Sequence, residues 1–201
     1  VRMNVAPAQR VQALFDESIR TAGISRDTLA DDIARAAAVL VDTLEETGKV
    51  LACGNGGSAA DAQHFAAELL NRFEIERRPL PALALNTDTS TLTSIANDYD
   101  FDRVFSKQVE ALGTARDTLV AITTSGTSPN VVAALEVAKR LGMRCILLNG
   151  KDGRPAADAL GPDDVEIRVP SHSTARIQEI HGIVIHCLCT LIDTSMFGDS
   201  K

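Results

Sequence analysis

The sequence predicts an α/β fold, a three-layer sandwich in which a parallel sheet lies between two layers of helices. Five short segments are almost continuously apolar, which is typical of strands covered on both faces. Stretches with helical periodicity separate these segments, as right-handed strand–helix–strand crossovers require. Two of the apolar segments lead directly into loops rich in glycine and hydroxyl residues. Together these observations predict a sheet with a ligand site at one edge.

Length, charge and composition restrict the class of protein. The chain has 201 residues, which favours a single domain, and it contains no Trp and one Tyr, which disfavours stacking on nucleobases. Its formal net charge of −7 argues against a broad basic surface, so no direct contact with nucleic acid is expected. The four cysteines lie in apolar runs and are expected to be reduced. Without a long uncharged apolar stretch or a signal-peptide core, we predict a cytoplasmic protein that contacts no membrane.

The first part of the chain, residues 1–48, is predicted as a helical segment that makes oligomer contacts. Apolar residues recur at intervals of three and four from Val11 to Ile19, which indicates a helix starting near Pro7. A second helix is predicted for "RDTLADDIARAAAVLVDTLEETG", which follows "AGIS" and stops at Gly48. Because no strand accompanies these helices, we expect them to pack on a neighbouring layer or subunit.

The remainder, residues 49–201, is predicted as the main α/β domain. Strands are predicted at 49–54, 81–86, 117–123, 144–150 and 164–170. Helices are predicted between them at 58–73, 90–96, 103–112 and 129–141. The very apolar stretch "STARIQEIHGIVIHCLCTLIDTSMF" predicts a long, buried helix near the end of the chain.

The two glycine- and hydroxyl-rich loops are "GNGGS" (54–58) and "TTSGTSPN" (123–130). Each follows a strand and opens a helix, where backbone N–H groups and the helix dipole favour an anion. Neither loop has the lysine of a P-loop or the spacing of a dinucleotide fingerprint, which favours a small phosphomonoester over a nucleotide. One such loop would more often be an ordinary helix cap, but two in register across one sheet favour a binding site.

Two helices carry polar residues that could form a second half of the site. His64, Glu68 and Arg72 recur at intervals of four, which places them within a stripe of about 80° on one helix. They are either surface residues with an exposed Glu68–Arg72 ion pair or a catalytic face. On the last helix, Gln178 and His186 can share a face, either as satisfied core residues or as the partner of that catalytic face.

If the two helix faces meet, they offer two kinds of chemistry. Two imidazoles, a carboxylate and an amide oxygen could form a Zn²⁺ shell, which would consist of His64, Glu68, Gln178 and His186. The same carboxylate and histidine could instead transfer protons as a general base and a general acid.

These motifs, together with "NRFEIERRPLPALALNTD", "SIANDYDFDRVFSKQVEALG" and "RIQEIHGIVIH", resemble the phosphoheptose isomerases of the sugar isomerase (SIS) superfamily over essentially the whole chain. The resemblance implies a flavodoxin-like five-stranded parallel sheet and a homotetramer assembled partly through the N-terminal helices. It also implies active sites at subunit interfaces and conversion of sedoheptulose 7-phosphate to D-glycero-D-manno-heptose 7-phosphate for lipopolysaccharide synthesis.

The resemblance also implies functions for individual residues. Glu68 and His186 would be the acid–base pair, and zinc would be bound by His64, Glu68, Gln178 and His186. The expected substrate contacts, most of them in the two loops, are Asn55, Gly56, Gly57, Ser58, Glu68, Arg72, Asn97, Asp98, Thr123, Thr124, Ser125, Ser128 and Gln178. Asn97 and Asp98 rest on the resemblance alone, because "ANDYD" by itself indicates only a loop.

A second resemblance supports a different class of function. "GPDDVEIRVPSHSTARIQE" and "CLCTLID" are similar to the replication initiator-associating proteins, tetrameric relatives that bind the bacterial initiator of DNA replication. In at least one member of that group an asparagine matches His186 and a threonine matches Gly57. Because this chain keeps both isomerase residues, the sequence favours the enzyme.

Overall fold

The computed structural model describes residues 6–198 and contains one five-stranded sheet in that range. Its strands are β1 (Val50–Gly54), β2 (Ala82–Ala84), β3 (Thr118–Ile122), β4 (Arg144–Gly150) and β5 (Val165–Val169). The spatial order is β2-β1-β3-β4-β5, and every neighbouring pair is parallel. This is the flavodoxin-like order, so the predicted fold class is confirmed.

The helices lie on both faces of the sheet. They are α1 (Pro7–Glu45), α2 (Gly57–Leu70), α3 (Thr89–Asp98), α4 (Ser106–Leu112), α5 (Pro129–Arg140) and α6 (Thr174–Phe197), with short 3₁₀ helices at Phe101–Arg103 and Ala156–Ala159. Alternate strand residues point to opposite faces. On one face Val120 and Ile146 pack beneath α1, α2 and α6, and on the other Leu119 and Leu147 pack beneath α3, α4 and α5.

The N-terminal segment is one continuous helix of 39 residues, so the prediction of two helices separated at "AGIS" is wrong. Gly23 lies inside α1, where glycine costs about 1 kcal/mol relative to alanine. This local cost is outweighed by packing, because Leu29, Leu40 and Leu44 further along α1 belong to the core beneath the sheet. The second half of α1 is therefore part of the main core.

Helix α6 is apolar and long enough, by length and composition, to cross a membrane. It nevertheless carries Asp193, which is ion-paired with Arg77, and it packs against α1, α2 and β4. Buried residues such as Ile180 and Ile185 join it to the core. We therefore interpret α6 as the core helix that the sequence predicted.

All four cysteines are free thiols, as predicted. Cys53, Cys145 and Cys189 are buried and Cys187 is half-buried. Burial raises the pKa of Cys53 to about 12, which keeps this thiol protonated and unreactive at neutral pH.

Candidate active site

The two predicted loops lie side by side at the carboxyl edge of the sheet. Strands β1 and β3 are neighbours, and β2 lies on one side of this pair while β4 and β5 lie on the other. The chain direction across the sheet therefore reverses between β1 and β3. Ligands of open parallel sheets bind at such a switch point, which is where both loops begin.

The first loop brings backbone close to the crevice. Gly56 has a φ of 57°, which glycine adopts without strain, and Gly57 is the first residue of α2. No side chain caps the N-terminus of α2 in the described chain. Backbone carbonyls of the loop accept from the first turn instead, since the N–H groups of Ser58 and Ala59 donate to the carbonyl oxygens of Asn55 and Gly56 at 3.0 and 3.1 Å. The positive end of the helix dipole favours an anion here, and anion binding at this loop stays a prediction.

The second loop is folded on itself by its hydroxyl groups. The Thr123 Oγ1 atom is buried and accepts hydrogen bonds from the backbone N–H groups of Ser125 and Gly126, at 3.4 and 3.2 Å. The hydroxyls of Ser125 and Thr127 lie 2.8 Å apart. Thr124 and Ser128 are half-buried at the same edge, and helix α5 starts immediately after Ser128. The loop therefore presents hydroxyls from a fixed backbone.

A pair of amides joins the two loops. Asn55 Nδ2 donates to Asn130 Oδ1 at 2.8 Å, and Asn130 Nδ2 donates to Asn55 Oδ1 at 2.9 Å. Asn130 is buried, on the first turn of α5. The sequence analysis did not single out Asn130, although it belongs to the second loop. No local sequence signal points to this pair, because Asn55 and Asn130 are 75 residues apart in the chain.

The polar faces of α2 and α6 meet beside these loops. His64 Nε2 lies 3.1 Å from Glu68 Oε1 within α2. The rings of His64 and His186 contact each other edge to face, with centroids 5.1 Å apart and planes at 85°. Phe73 stacks on the other side of His186, with centroids 5.6 Å apart. The prediction that the two helix faces come together is confirmed, whereas the catalytic functions of these residues stay predictions.

Gln178 connects the helix faces to the first loop. A Cβ atom built on Gly57 would lie only 2.2 Å from Gln178 Nε2. The side-chain amide of Gln178 therefore rests directly on the backbone of Gly57, and a larger residue at position 57 would displace it. Through this contact α6 reaches the first loop, and the same two helices carry His64, Glu68 and His186 further along.

Arg72 does not belong to the stripe that the sequence predicted. Helix α2 ends at Leu70, and Asn71 leaves the helical path with φ and ψ both at −91°. Arg72 is exposed, and its Nε lies 3.4 Å from Glu76 Oε2. The predicted helix to residue 73 and the alternative ion pair of Arg72 with Glu68 are both wrong, because the helix stops before it reaches Arg72.

Asn97 and Asp98 lie in a helix, whereas the sequence predicted a loop for them. They are the last two residues of α3 and are exposed, and Asn97 Nδ2 donates to Asp98 Oδ1 at 2.9 Å. Within residues 6–198, no side-chain hydrogen bond links either residue to the two loops. Their function in substrate binding stays a prediction.

Comparison with known proteins identifies the family. The SIS domain family matches residues 15–150. A phosphoheptose isomerase from Alkalilimnicola ehrlichii is 58% identical over 192 residues, which are 96% of this chain and 98% of the relative. The chain belongs to the phosphoheptose isomerases.

Solved structures of phosphoheptose isomerases share this fold. The enzyme from Neisseria gonorrhoeae is 50% identical and has a TM-score of 0.90, and the comparison covers 94% of this chain and 100% of that one. The enzyme from Francisella tularensis is 45% identical with a TM-score of 0.92, over the same shares of the two chains. The sheet and the helices that carry the site are thus those of the phosphoheptose isomerases.

In this phosphoheptose isomerase, burial shifts the pKa of several groups around the site. Burial, and then the charges of Glu68 and Asp193, raise the pKa of Cys189 to about 12. On the same helix, burial lowers the pKa of His181 to about 4, while its Nε2 lies 3.1 Å from the carbonyl oxygen of Asn149. His181 is therefore a neutral core residue that donates to β4. Burial also raises the pKa of Asp61, one turn before His64, while the charge of His64 lowers it.

The side chains predicted to bind zinc fit the metal in kind. Imidazole nitrogens and a carboxylate oxygen are common zinc ligands, and His64, Glu68 and His186 are neighbours. In the part of the chain described, however, no three His, Cys, Asp or Glu side chains converge as a ligand set. The hydrogen bond between His64 and Glu68 directs their polar atoms at each other. A metal would require these side chains to turn toward a common point.

The site opens toward a groove of about 670 Å³ between α1 and α6. Leu29, Phe73, Ile183 and His186 are among the residues that line it. The side chain of Ile183 is about half exposed in the single chain. His186 therefore contributes to the helix cluster and to a largely apolar surface at the same time.

Proposed function

We propose that the chain is a phosphoheptose isomerase that converts sedoheptulose 7-phosphate to D-glycero-D-manno-heptose 7-phosphate, a precursor of lipopolysaccharide heptose. One observation carries the proposal. Helices α2 and α6 carry both the contact between Gly57 and Gln178, beside the proposed phosphate loops, and the cluster of His64, Glu68 and His186. A sugar phosphate needs both parts, one for its phosphate and one for its reacting carbons.

The loop half suits the phosphate. The positive end of the α2 dipole attracts an anion, and hydroxyls from Thr123 to Ser128 can donate to phosphate oxygens, so no net positive side-chain charge is needed. Held at this end, the substrate would extend its carbonyl end toward Gln178 and the two helices. Positioning of this kind accounts for a large part of the rate enhancement in many enzymes.

The helix half suits proton transfer between C1 and C2. In our proposal Glu68 removes a proton from C1 of the ketose while His186 donates a proton to O2, which gives a cis-enediol. Glu68 then returns its proton to C2 while His186 takes the proton from O1, which gives the aldose and restores both side chains. The two functions could also be reversed, because both groups lie in the same cluster.

Zinc is part of the proposal as a cofactor, one ion per subunit. It would be bound by His64, Glu68, Gln178 and His186. When bound, it would supply a Lewis acid that stabilises the enediolate oxygen.

We also propose a cytoplasmic homotetramer. The first half of α1 exposes Val11, Phe15 and Ile19, and their exposed fractions are 51%, 66% and 68%. These residues follow the helical repeat, and the groove that reaches His186 continues this apolar surface. Burial of α1 against other subunits would place the active site at a subunit interface.

The direct test is to incubate the purified protein with sedoheptulose 7-phosphate, with and without a chelator, and to follow the aldose product by NMR. We expect product without the chelator, and loss of product with it if zinc is required. Elemental analysis of the same sample measures the zinc content, and light scattering measures the mass of the oligomer. Absence of product under both conditions would contradict the proposed function.

Binding of the bacterial replication initiator stays a prediction from the sequence. The relatives reported above are named phosphoheptose isomerases, which favours the enzyme. An inactive protein that captures purified initiator would instead support the second resemblance.

A further inference from the structure

A buried ion pair connects the segment after α2 with α6. Arg77 Nε lies 2.6 Å from Asp193 Oδ1. The Arg77 side chain is 1% exposed and the Asp193 side chain is 7% exposed. Burying two charges costs several kcal/mol, and well-packed apolar residues often stabilise such a position equally well. The stability of the fold therefore does not by itself account for this pair.

The rest of the Arg77 guanidinium is bonded to the end of α2. Nη2 donates to the carbonyl oxygen of Glu68 at 2.9 Å, and Nη1 donates to that of Leu69 at 3.0 Å. Carbonyls in the last turn of a helix lack partners within the helix, and a cation there also complements the helix dipole. Arg77 thus caps α2 through the backbone of the residue that the proposed function uses as the base.

One rigid, planar group therefore bridges the two helices that carry the proposed chemistry. Asp193 follows His186 by seven residues on α6, which places both on the same side of that helix. Cys189 lies between these two positions in sequence, and the charges of Glu68 and Asp193 both act on its thiol. The ring of Phe197 covers the guanidinium, with 5.8 Å between Arg77 Cζ and the ring centroid.

We infer that Arg77 and Asp193 are positioning residues for the isomerase reaction, because their ion pair sets the spacing and orientation of Glu68 relative to His186. The inference rests on the proposed function. Arg77 acts on Glu68 through the hydrogen bond to the backbone carbonyl oxygen of Glu68. Asp193 acts on His186 through helix α6, which carries both residues. Neither residue acts on the substrate.

The test compares R77M, D193N and the double variant R77M/D193L with the wild type. The double variant replaces both charges with apolar side chains, so that neither is left buried without its partner. All variants are assayed well below their Tm, so that loss of folded protein does not contribute. We expect the double variant to fold and its kcat to fall about 100-fold, which is what a displacement of about 1 Å at a catalytic group can cause. KM should stay nearly unchanged because the phosphate loops are intact.

Two further comparisons separate positioning from stability. K49M removes the cation of another ion pair, in which Lys49 Nζ lies 2.7 Å from the buried Asp117 at the amino end of β1 and β3. K49M should lower Tm while kcat stays at the wild-type value. R77K keeps the charge without the fork of donors, so its kcat should lie between those of the wild type and R77M. If R77M and D193N act through the same bridge, their effects on kcat should not add.

The possible outcomes are distinguishable. Wild-type kcat in the folded double variant would overturn the inference. If that variant fails to fold, wild-type kcat in both R77K and D193N would overturn it instead, as would a loss of kcat in K49M equal to that in R77M. An inactive wild-type protein would contradict the proposed function before any variant is compared.

Discussion

The two halves of the site differ in how the chain builds them. The loop half uses two continuous segments at neighbouring strand ends, and its hydroxyls and amides are bonded to one another. The helix half uses side chains that are far apart in sequence, from His64 to His186, and these are partly exposed. This difference suggests a division of labour. In the proposed function a preformed backbone holds the phosphate, while side chains of the two helices carry out the proton transfer. Substitutions in the two halves should therefore change different kinetic constants.

The largest effect is expected for E68Q in the helix half. The amide keeps the shape of the side chain and can still bond His64, but it cannot accept the substrate proton. We expect kcat to fall by about 10²- to 10⁴-fold, the usual contribution of general acid–base catalysis, with the fold unchanged. Steady-state kinetics and circular dichroism check this. The matched control is E136Q, an exposed glutamate on α5, and wild-type kcat in E68Q would rule out this base.

The contact between the halves should be the next most sensitive position. In G57A the new methyl group would lie 2.2 Å from Gln178 Nε2, the far end of a flexible side chain. Gln178 should move aside, so the protein should fold while kcat/KM decreases up to about 100-fold. The comparison is G48A, whose methyl group would lie 2.1 Å from the backbone carbonyl oxygen of Arg116, at the amino end of β1 and away from both halves of the site. G48A should mainly lower Tm, and equal decreases in kcat/KM for G57A and G48A would contradict the importance of the contact between Gly57 and Gln178.

The contrast between continuous segments and residues far apart in the chain also explains which features the sequence could predict. The strands and the two loops follow from local patterns, since apolar runs and glycine positions lie within a few residues of one another. The end of α2 was misplaced because Arg77, which caps it from the next segment, has no local signal. Asn130 was missed because its partner Asn55 is 75 residues away. Gly23 indicated a break in α1 because the packing that keeps this helix continuous is tertiary.

A smaller effect, on binding, is expected for N130A in the loop half. Asn130 is buried, and its side-chain amide accepts one hydrogen bond from the Asn55 side chain and donates one to it. Without it Asn55 should turn away from the phosphate site, and KM should rise about tenfold, which corresponds to about 1.4 kcal/mol. Since Glu68 and His186 are untouched, kcat should change little. A decrease in kcat with unchanged KM would show that the loops take part in the chemistry.

The smallest effect is expected for His181, which is buried, unlike His186 on the same helix. His181 is fully buried, and burial lowers its pKa to about 4, below the value of about 6.5 in the unfolded chain. As the pH falls below about 6.5, the unfolded state therefore takes up a proton before the folded state does, and the free energy of unfolding decreases until about pH 4. At pH 5.5 this contribution is about 1 kcal/mol.

H181Q removes the titrating group, and its amide can still donate to the carbonyl oxygen of Asn149. Urea unfolding at pH 7.5 and 5.5 should therefore show a decrease in stability that is about 1 kcal/mol smaller for H181Q than for the wild type. The other ionisable groups are common to both proteins, so the difference isolates His181. An identical pH dependence in the two proteins would mean that His181 takes up a proton as readily in the folded state as in the unfolded state. In that case burial would not distinguish His181 from the exposed His186.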